Sequence, residues 1–259
     1  MTKFIEDWES PPNMTKARAD LNGLSLKQLG ALSFEELGRF KQAGRFPDGY
    51  STTDLTFYAP RDPGVHAVIV WALLQATHTV AVNMYGFDDP QVAAIIQGYT
   101  ENPDVVVTLS LDKSQAGGKS EKELLERFKH ELIGNSIAIG HSSRGAISHD
   151  KLVVVDGLYL ITGSTNWSQG GEQLQDNQLT LSRVPLAAAE ARAIIDLDHD
   201  DMLKQMAASA AGESTPTAAT PAGAAKPSAS KAKPATASAP KTKPAAKRSS
   251  TTKKRIPKP

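Results

Sequence analysis

The chain contains no cysteine. Disulfides, thiolate metal sites and a cysteine nucleophile are therefore excluded, and a reducing compartment is compatible. It also lacks a long apolar run. The longest, AVIVWALLQA at 67–76, is too short to span a bilayer and is bracketed by His66 and His78. The first ten residues, MTKFIEDWES, carry acids where a secretory signal needs an apolar stretch. A soluble, cytoplasmic protein with no transmembrane segment is expected. Beyond residue 208 there is no aromatic residue and one acid, Glu213.

That last scarcity divides the chain. Residues 206–259 carry a net charge of +10 and residues 1–205 a net charge of −9, so the overall +1 hides a basic tail on an acidic body. The segment 209–259 is built from Ala, Pro, Ser, Thr and Lys, as in KTKPAAKR at 241–248. Recurrent proline and little apolar surface predict a disordered tail. Lysines strung along an extended chain suit successive phosphates of DNA or RNA, with little sequence preference. A merely solubilising tail is the alternative.

Residues 1–50 read as an N-terminal helical extension. Ser25-Leu-Lys-Gln28 and Ser33-Phe-Glu-Glu36 each match a capping box, and Leu26, Leu29, Leu32, Phe34, Leu37 and Phe40 supply an apolar face. Residues 51–208 alternate in type. Strands are expected at 54–59, 78–87, 104–112, 136–141 and 177–183, and helices at 64–76, 89–101, 120–133 and after Pro185. A hairpin is expected over 147–167. The fold class that follows is α/β, a mixed β-sheet flanked by helices on both faces.

The hairpin, ISHDKLVVVDGLYLITGSTNW, carries the chemistry. His149, Lys151, Asp156, Gly163, Ser164 and Asn166 satisfy the spacing H-x-K-x4-D-x6-G-S-x-N. Average residue usage produces that match by chance on the order of once in 10⁵ to 10⁶ sequences. In a strand, His149 and Lys151 leave the same face. An imidazole attacks phosphorus to give a covalent intermediate, an ammonium stabilises phosphoryl oxygens, and the Ser164 hydroxyl and Asn166 amide donate to them. Gly163 permits close backbone approach. Asp156-Gly157 also suits a two-residue hairpin turn, a structural role for that aspartate. Lys113, Ser114 and Gln115 are expected at the same end of the sheet as candidate substrate contacts, and His141 and Arg144 on a Gly/Ser-rich loop as either contacts or surface turn.

The spacing resembles the HKD motif of the phospholipase D superfamily, and VNMYGFDDPQV (82–92), LDKSQAGGK (111–119) and QDNQLTL (175–181) extend the likeness. An acid that accepts from the imidazole Nδ1 fixes its tautomer, and the resemblance puts Asp176 in that role. The family more often has Glu there. The resemblance implies a phosphodiester hydrolase with catalytic His149, Lys151, Asp156 and Asp176, working through a phosphohistidine. No cofactor and no metal are implied, and the sequence shows no clustered metal-binding set. Only one motif copy is present, whereas the displacement requires two histidines. Single-copy relatives complete the site as a homodimer, and many are nucleases. An endonuclease acting on DNA or RNA is therefore expected. A hydrolase of cardiolipin-like lipids and a non-catalytic nucleic-acid-binding protein are the alternatives.

Overall fold

The structure, a computed structural model, describes residues 21–41, 52–115 and 134–212. The expected helix at 120–133 and nearly all of the expected tail lie outside those residues. Seven strands form one sheet: β1 (Asp54–Ala59), β2 (Thr79–Met84), β3 (Val106–Asp112), β4 (Ser136–Gly140), β5 (Lys151–Val155), β6 (Tyr159–Gly163) and β7 (Asn177–Ser182). Their order is β1-β7-β6-β5-β2-β3-β4. The pairs among β2, β3 and β4 are parallel and all others antiparallel, so the sheet is mixed as the hairpin implied.

Helices cover both faces. On one side lie α1 (Leu26–Gly30), α2 (Phe34–Gly38), α3 (Val65–Leu74) and α4 (Pro90–Thr100), and on the other the 26-residue α5 (Pro185–Ala210). In α3 only His66 and Leu74 escape full burial, which fits a helix that is apolar all round and enclosed by its neighbours. The two capping boxes form as read, Ser25 with Gln28 and Ser33 with Glu36. Leu29, Phe34 and Leu37 are buried against the body, whereas Leu26 faces solvent. Trp71 anchors this layer: its indole N–H donates to the Leu32 carbonyl at 2.9 Å and its ring meets Phe34 edge-on. Pro185 opens α5 at its first turn, where a missing N–H costs nothing. The helix runs through Ala210, just past residue 209, where the tail was expected to begin.

The hairpin turn differs in one detail. Asp156 and Gly157 both have positive φ (52° and 65°), and the Leu158 N–H donates to the Val155 carbonyl at 2.9 Å, a tight turn centred on the expected pair. Pairing resumes only at Val155–Tyr159, leaving Leu158 as a third connecting residue.

Candidate active site at one end of the sheet

Strand direction gathers the chemistry. The chain leaves β1, β2, β3, β4 and β6 at the same end at which it enters β5 and β7. The register makes this explicit: Ala59 lies opposite Asn177, Gly163 opposite Leu179, and Met84 opposite Lys151. Lys113–Gln115, His149, Lys151, Ser164, Asn166 and Asp176 therefore share that end.

β5 begins at Lys151, so His149 stands just before the strand and not within it; Tyr85 N–H still donates to the Asp150 carbonyl at 3.0 Å. His149 is exposed, and its ring rests on Tyr85 with centroids 4.6 Å apart. Lys151 is buried, 4 % exposed, and its Nζ lies 4.9 Å from the centre of the same Tyr85 ring. That ammonium has one hydrogen bond, to the His149 carbonyl at 2.8 Å, and no carboxylate partner among the described residues. Burial pushes its pKa down to about 8, against the opposing field of Asp150. A desolvated cation with unused donors is built to receive an anion.

Tyr85 was quoted in the sequence only as part of a strand; its role as a shared platform was missed. It is held in turn by Gln115, whose Nε2 donates to the Tyr85 hydroxyl at 2.9 Å. Asp112 was missed as well. It is fully buried and accepts from the Ser148 N–H at 2.6 Å and from both the N–H and hydroxyl of Ser114. Ser114 and Gln115, expected to touch substrate, thus spend their side chains holding Asp112 and Tyr85. Lys113 remains exposed, with no side-chain partner among the described residues.

The Gly-Ser-x-Asn segment is also rearranged relative to expectation. The Ser164 hydroxyl donates to Asn177 Oδ1 at 2.9 Å and accepts from the Gln178 N–H at 3.1 Å, so its proton already has a destination inside the protein. Asn177 must accept there, because its own Nδ2 donates to the Gly171 carbonyl. Gly163 has φ of +147°, and a Cβ on it would overlap the Gln178 carbonyl oxygen. Its missing side chain makes room for β7, not for a ligand. Asn166 Oδ1 is buried without a donor, and its amide carbon packs where a Cβ on Gly86 would fall. Trp167 bridges to Phe87, and its carbonyl accepts from the N–H groups of Asp88 and Asp89. This pins the segment to the start of α4.

Two residues grouped with the catalytic set are not brought to it. Asp156 is at the opposite end of β5, roughly 15 Å along the strand from Lys151. Its carboxylate accepts from the N–H of Thr77, His78 and Thr79 and from the Thr77 hydroxyl, all at 2.7–2.9 Å. It fastens the β2 entrance to the hairpin turn, the structural alternative named above. Asp176 does lie at the correct end, but its carboxylate makes no bond to His149 within the chain. It lines an open cleft of about 380 Å³ together with Tyr58, Arg61, Ser164 and Asn177. Tyr58 is 42 % exposed, and Arg61 has no ion-pair partner among the described residues. His141 is held through its backbone by Gln205, and its Nδ1 is buried without a partner.

A cluster able to hold a metal ion lies at the same end of the sheet, contrary to the absence read from the sequence. His66, Asp89 and Glu172 converge from α3, from the N-cap of α4 and from a π-helical turn at Gly170–Leu174. Separations of 23 and 83 residues hide such a set from any local pattern. Asp89 and Glu172 push the His66 imidazole up to about 10, against burial.

Comparison with known proteins follows the same geometry. The family described as cardiolipin synthase, PLD-like domain, matches residues 69–198, half of the chain. No curated protein matches. Among solved structures, NucT from Helicobacter pylori is 14 % identical with a TM-score of 0.51, covering 58 % of this chain and 95 % of that one. Nuc from Salmonella typhimurium, described as a phospholipase D family member, is 17 % identical over 57 % of this chain and 94 % of its own, with a TM-score of 0.49. The likeness to NucT extends the agreement to the fold. With its mixed sheet, its rim of His149 and Lys151 and the family match over them, the chain belongs to the phospholipase D superfamily of phosphodiesterases.

Proposed function

We propose that this protein hydrolyses phosphodiesters in nucleic acid through a phosphohistidine on His149, at a site completed by a second copy of the chain. The observation that carries the reading is the Lys151 ammonium, buried and lacking a carboxylate partner among the described residues, held beside an exposed imidazole on one aromatic platform. A phosphate at that point satisfies the cation and lies within reach of the nucleophile.

In the first step an imidazole nitrogen attacks phosphorus. An N–P bond forms, the bond to the leaving oxygen breaks, and that oxygen takes a proton from a second histidine. In the second step this histidine accepts a proton from water. The water oxygen attacks phosphorus and the N–P bond breaks, giving a phosphomonoester and an alcohol. The Lys151 charge and the Asn166 amide stabilise the equatorial oxygens. Ser164 joins them only if its proton leaves Asn177, and Lys113 and Asp176 border the path of the chain. The second histidine is the partner copy's His149. Of the other described histidines, His66 and His199 have both ring nitrogens tied to internal partners, His78 sits at the far end beside Asp156, and His141 has its Nδ1 buried. A two-fold contact brings the same residue to itself across the axis.

The cleft favours nucleic acid. An exposed Tyr58 ring, and beside Ser164 an Arg61 with no ion-pair partner among the described residues, offer a base-stacking surface and a flanking-phosphate contact. The lysine-rich segment 213–259 supplies sequence-independent attraction. The family's cardiolipin synthase description supports a second reading, hydrolysis of an anionic phospholipid with the same residues. Cleavage of DNA, RNA and anionic liposomes in EDTA, by wild-type protein and His149→Ala, tests both. Cutting of nucleic acid that is lost in the variant is expected. Full activity of His149→Ala overturns the mechanism, and turnover of liposomes alone transfers it to lipid.

A further inference from the structure

We propose that His66, Asp89 and Glu172 bind one divalent transition-metal ion of the zinc class, on residues other than those of the phosphodiesterase site. His66 Nδ1 lies 2.7 Å from Glu172 Oε2 and 3.2 Å from Asp89 Oδ2. Its other nitrogen, Nε2, is 2.7 Å from Gln91 Oε1, an acceptor that keeps a proton on Nε2, so the proton Nδ1 shares with the two carboxylates is the one a metal ion displaces. Nδ1 and the two carboxylates converge on one spot, where a divalent ion takes the place of that proton and neutralises both acids.

A second feature points to the same occupant. Glu172 is 1 % exposed, and its Oε1 is sealed from solvent without any donor. An ion held by both Glu172 oxygens satisfies that atom. Asp89 contributes Oδ2 alone, because its Oδ1 accepts from the Val92 N–H at 2.8 Å. The donor set is one imidazole nitrogen and up to three carboxylate oxygens, with two negative charges that a divalent ion neutralises. Tetrahedral ligands at about 2.0–2.2 Å from zinc stand about 3.3–3.5 Å apart. The 3.2 Å pair fits as it stands, and the 2.7 Å pair must open by roughly half an ångström. His66, 19 % exposed, gives the ion a way in.

The ion ties together three segments that meet behind Asn166. Trp167 already bonds to Asp89 through the backbone, and Glu172 sits a few residues beyond it. Occupancy thus sets how firmly the Gly-Ser-x-Asn segment is clamped to α4, while the reaction itself stays with His149 and Lys151.

The test uses the full-length protein stripped with chelator and titrated with Zn²⁺. One ion per chain is expected, with a melting shift of roughly 5–10 °C at a hundredfold excess over Kd. The isosteric Glu172→Gln and the His66→Ala substitutions should each weaken binding by roughly 100-fold or more. Wild-type protein that binds neither Zn²⁺, Co²⁺ nor Mn²⁺ at about 100 µM overturns the proposal, as does unchanged stoichiometry in both variants. If the variants fail to fold, anomalous diffraction at the zinc edge on wild-type crystals decides: an ion between the three side chains supports the site and an ion elsewhere refutes it. None of these readouts uses cleavage, so they stand or fall apart from the hydrolase reading.

Discussion

Replacing Asp156 by alanine separates stability from turnover. A hydrogen bond to a charged group contributes about 1.5–3 kcal/mol, and this carboxylate receives four within 2.7–2.9 Å. They share one partly exposed side chain, so their energies do not simply add. Alanine must also hold the left-handed φ of 52°, at a cost of about 1–2 kcal/mol. The expected loss is about 3–5 kcal/mol. Asp156→Asn keeps the two N–H groups that meet Oδ1 and tolerates the left-handed backbone, so it loses about 1–2 kcal/mol. With a urea slope of about 2 kcal/mol/M, the midpoints fall by about 1.5–2.5 M and 0.5–1 M respectively. Initial rates below both melting transitions stay near wild type. Acid reduces the difference: burial pushes the Asp156 carboxyl up, but the bonds from Thr79, Thr77 and His78 outweigh it and hold it below the ordinary value. Its contribution is complete above an unfolded value of about 3.9 and is lost as pH falls through the lower folded one, so the gap between wild type and Asp156→Ala closes below about pH 4. An alanine variant with an unchanged midpoint and abolished turnover would refute this placement.

Lys151 gives activity and stability opposite responses to alkali. With its free-enzyme pKa near 8, kcat/KM should fall above that pH, whereas urea stability should rise between about 8 and 10.5 as the buried charge is discharged. Gly163→Ala should lower the melting temperature by roughly 5–10 °C, because φ of +147° is strained for alanine and its Cβ meets β7; an unchanged melting curve contradicts the stated register. Tyr58→Ala and Arg61→Ala should each raise KM for an oligonucleotide about tenfold and leave turnover of a small aryl phosphodiester unaltered; equal losses on both substrates remove the cleft from the polymer path. Deleting 213–259 should flatten the salt dependence of DNA binding while cleavage of a short oligonucleotide persists; the same salt slope in both proteins excludes the tail as the electrostatic arm.

Much of the fold was legible because local chemistry and tertiary structure agree. The β-branched run VVV followed by Asp-Gly can form little other than a hairpin. The Ser25 and Ser33 caps and Pro185 mark helix starts by mechanisms that need no long-range partner. The site was legible as a set of residue types and not as an arrangement. Motif spacing put Asp156 with His149, whereas the direction of β5 puts them at opposite ends. Pattern placed His149 inside a strand that begins at Lys151. Donor capacity marked Ser164 for phosphate, and only the fold reveals that Asn177 already takes its proton. Tyr85 and Asp112 looked like ordinary strand-end residues, because their roles arise from loops distant in sequence. The convergence of His66, Asp89 and Glu172 has the same origin: three elements pack together, and no periodicity records it.

Tyr85 fixes more than two side chains. With the imidazole 4.6 Å and the ammonium 4.9 Å from the centre of one ring, the spacing between the proposed nucleophile and the charge depends on Tyr85 as well as on the lysine's own rotamer. On the proposed reading, a phosphate that meets both groups is oriented by a side chain that touches neither of its reacting atoms.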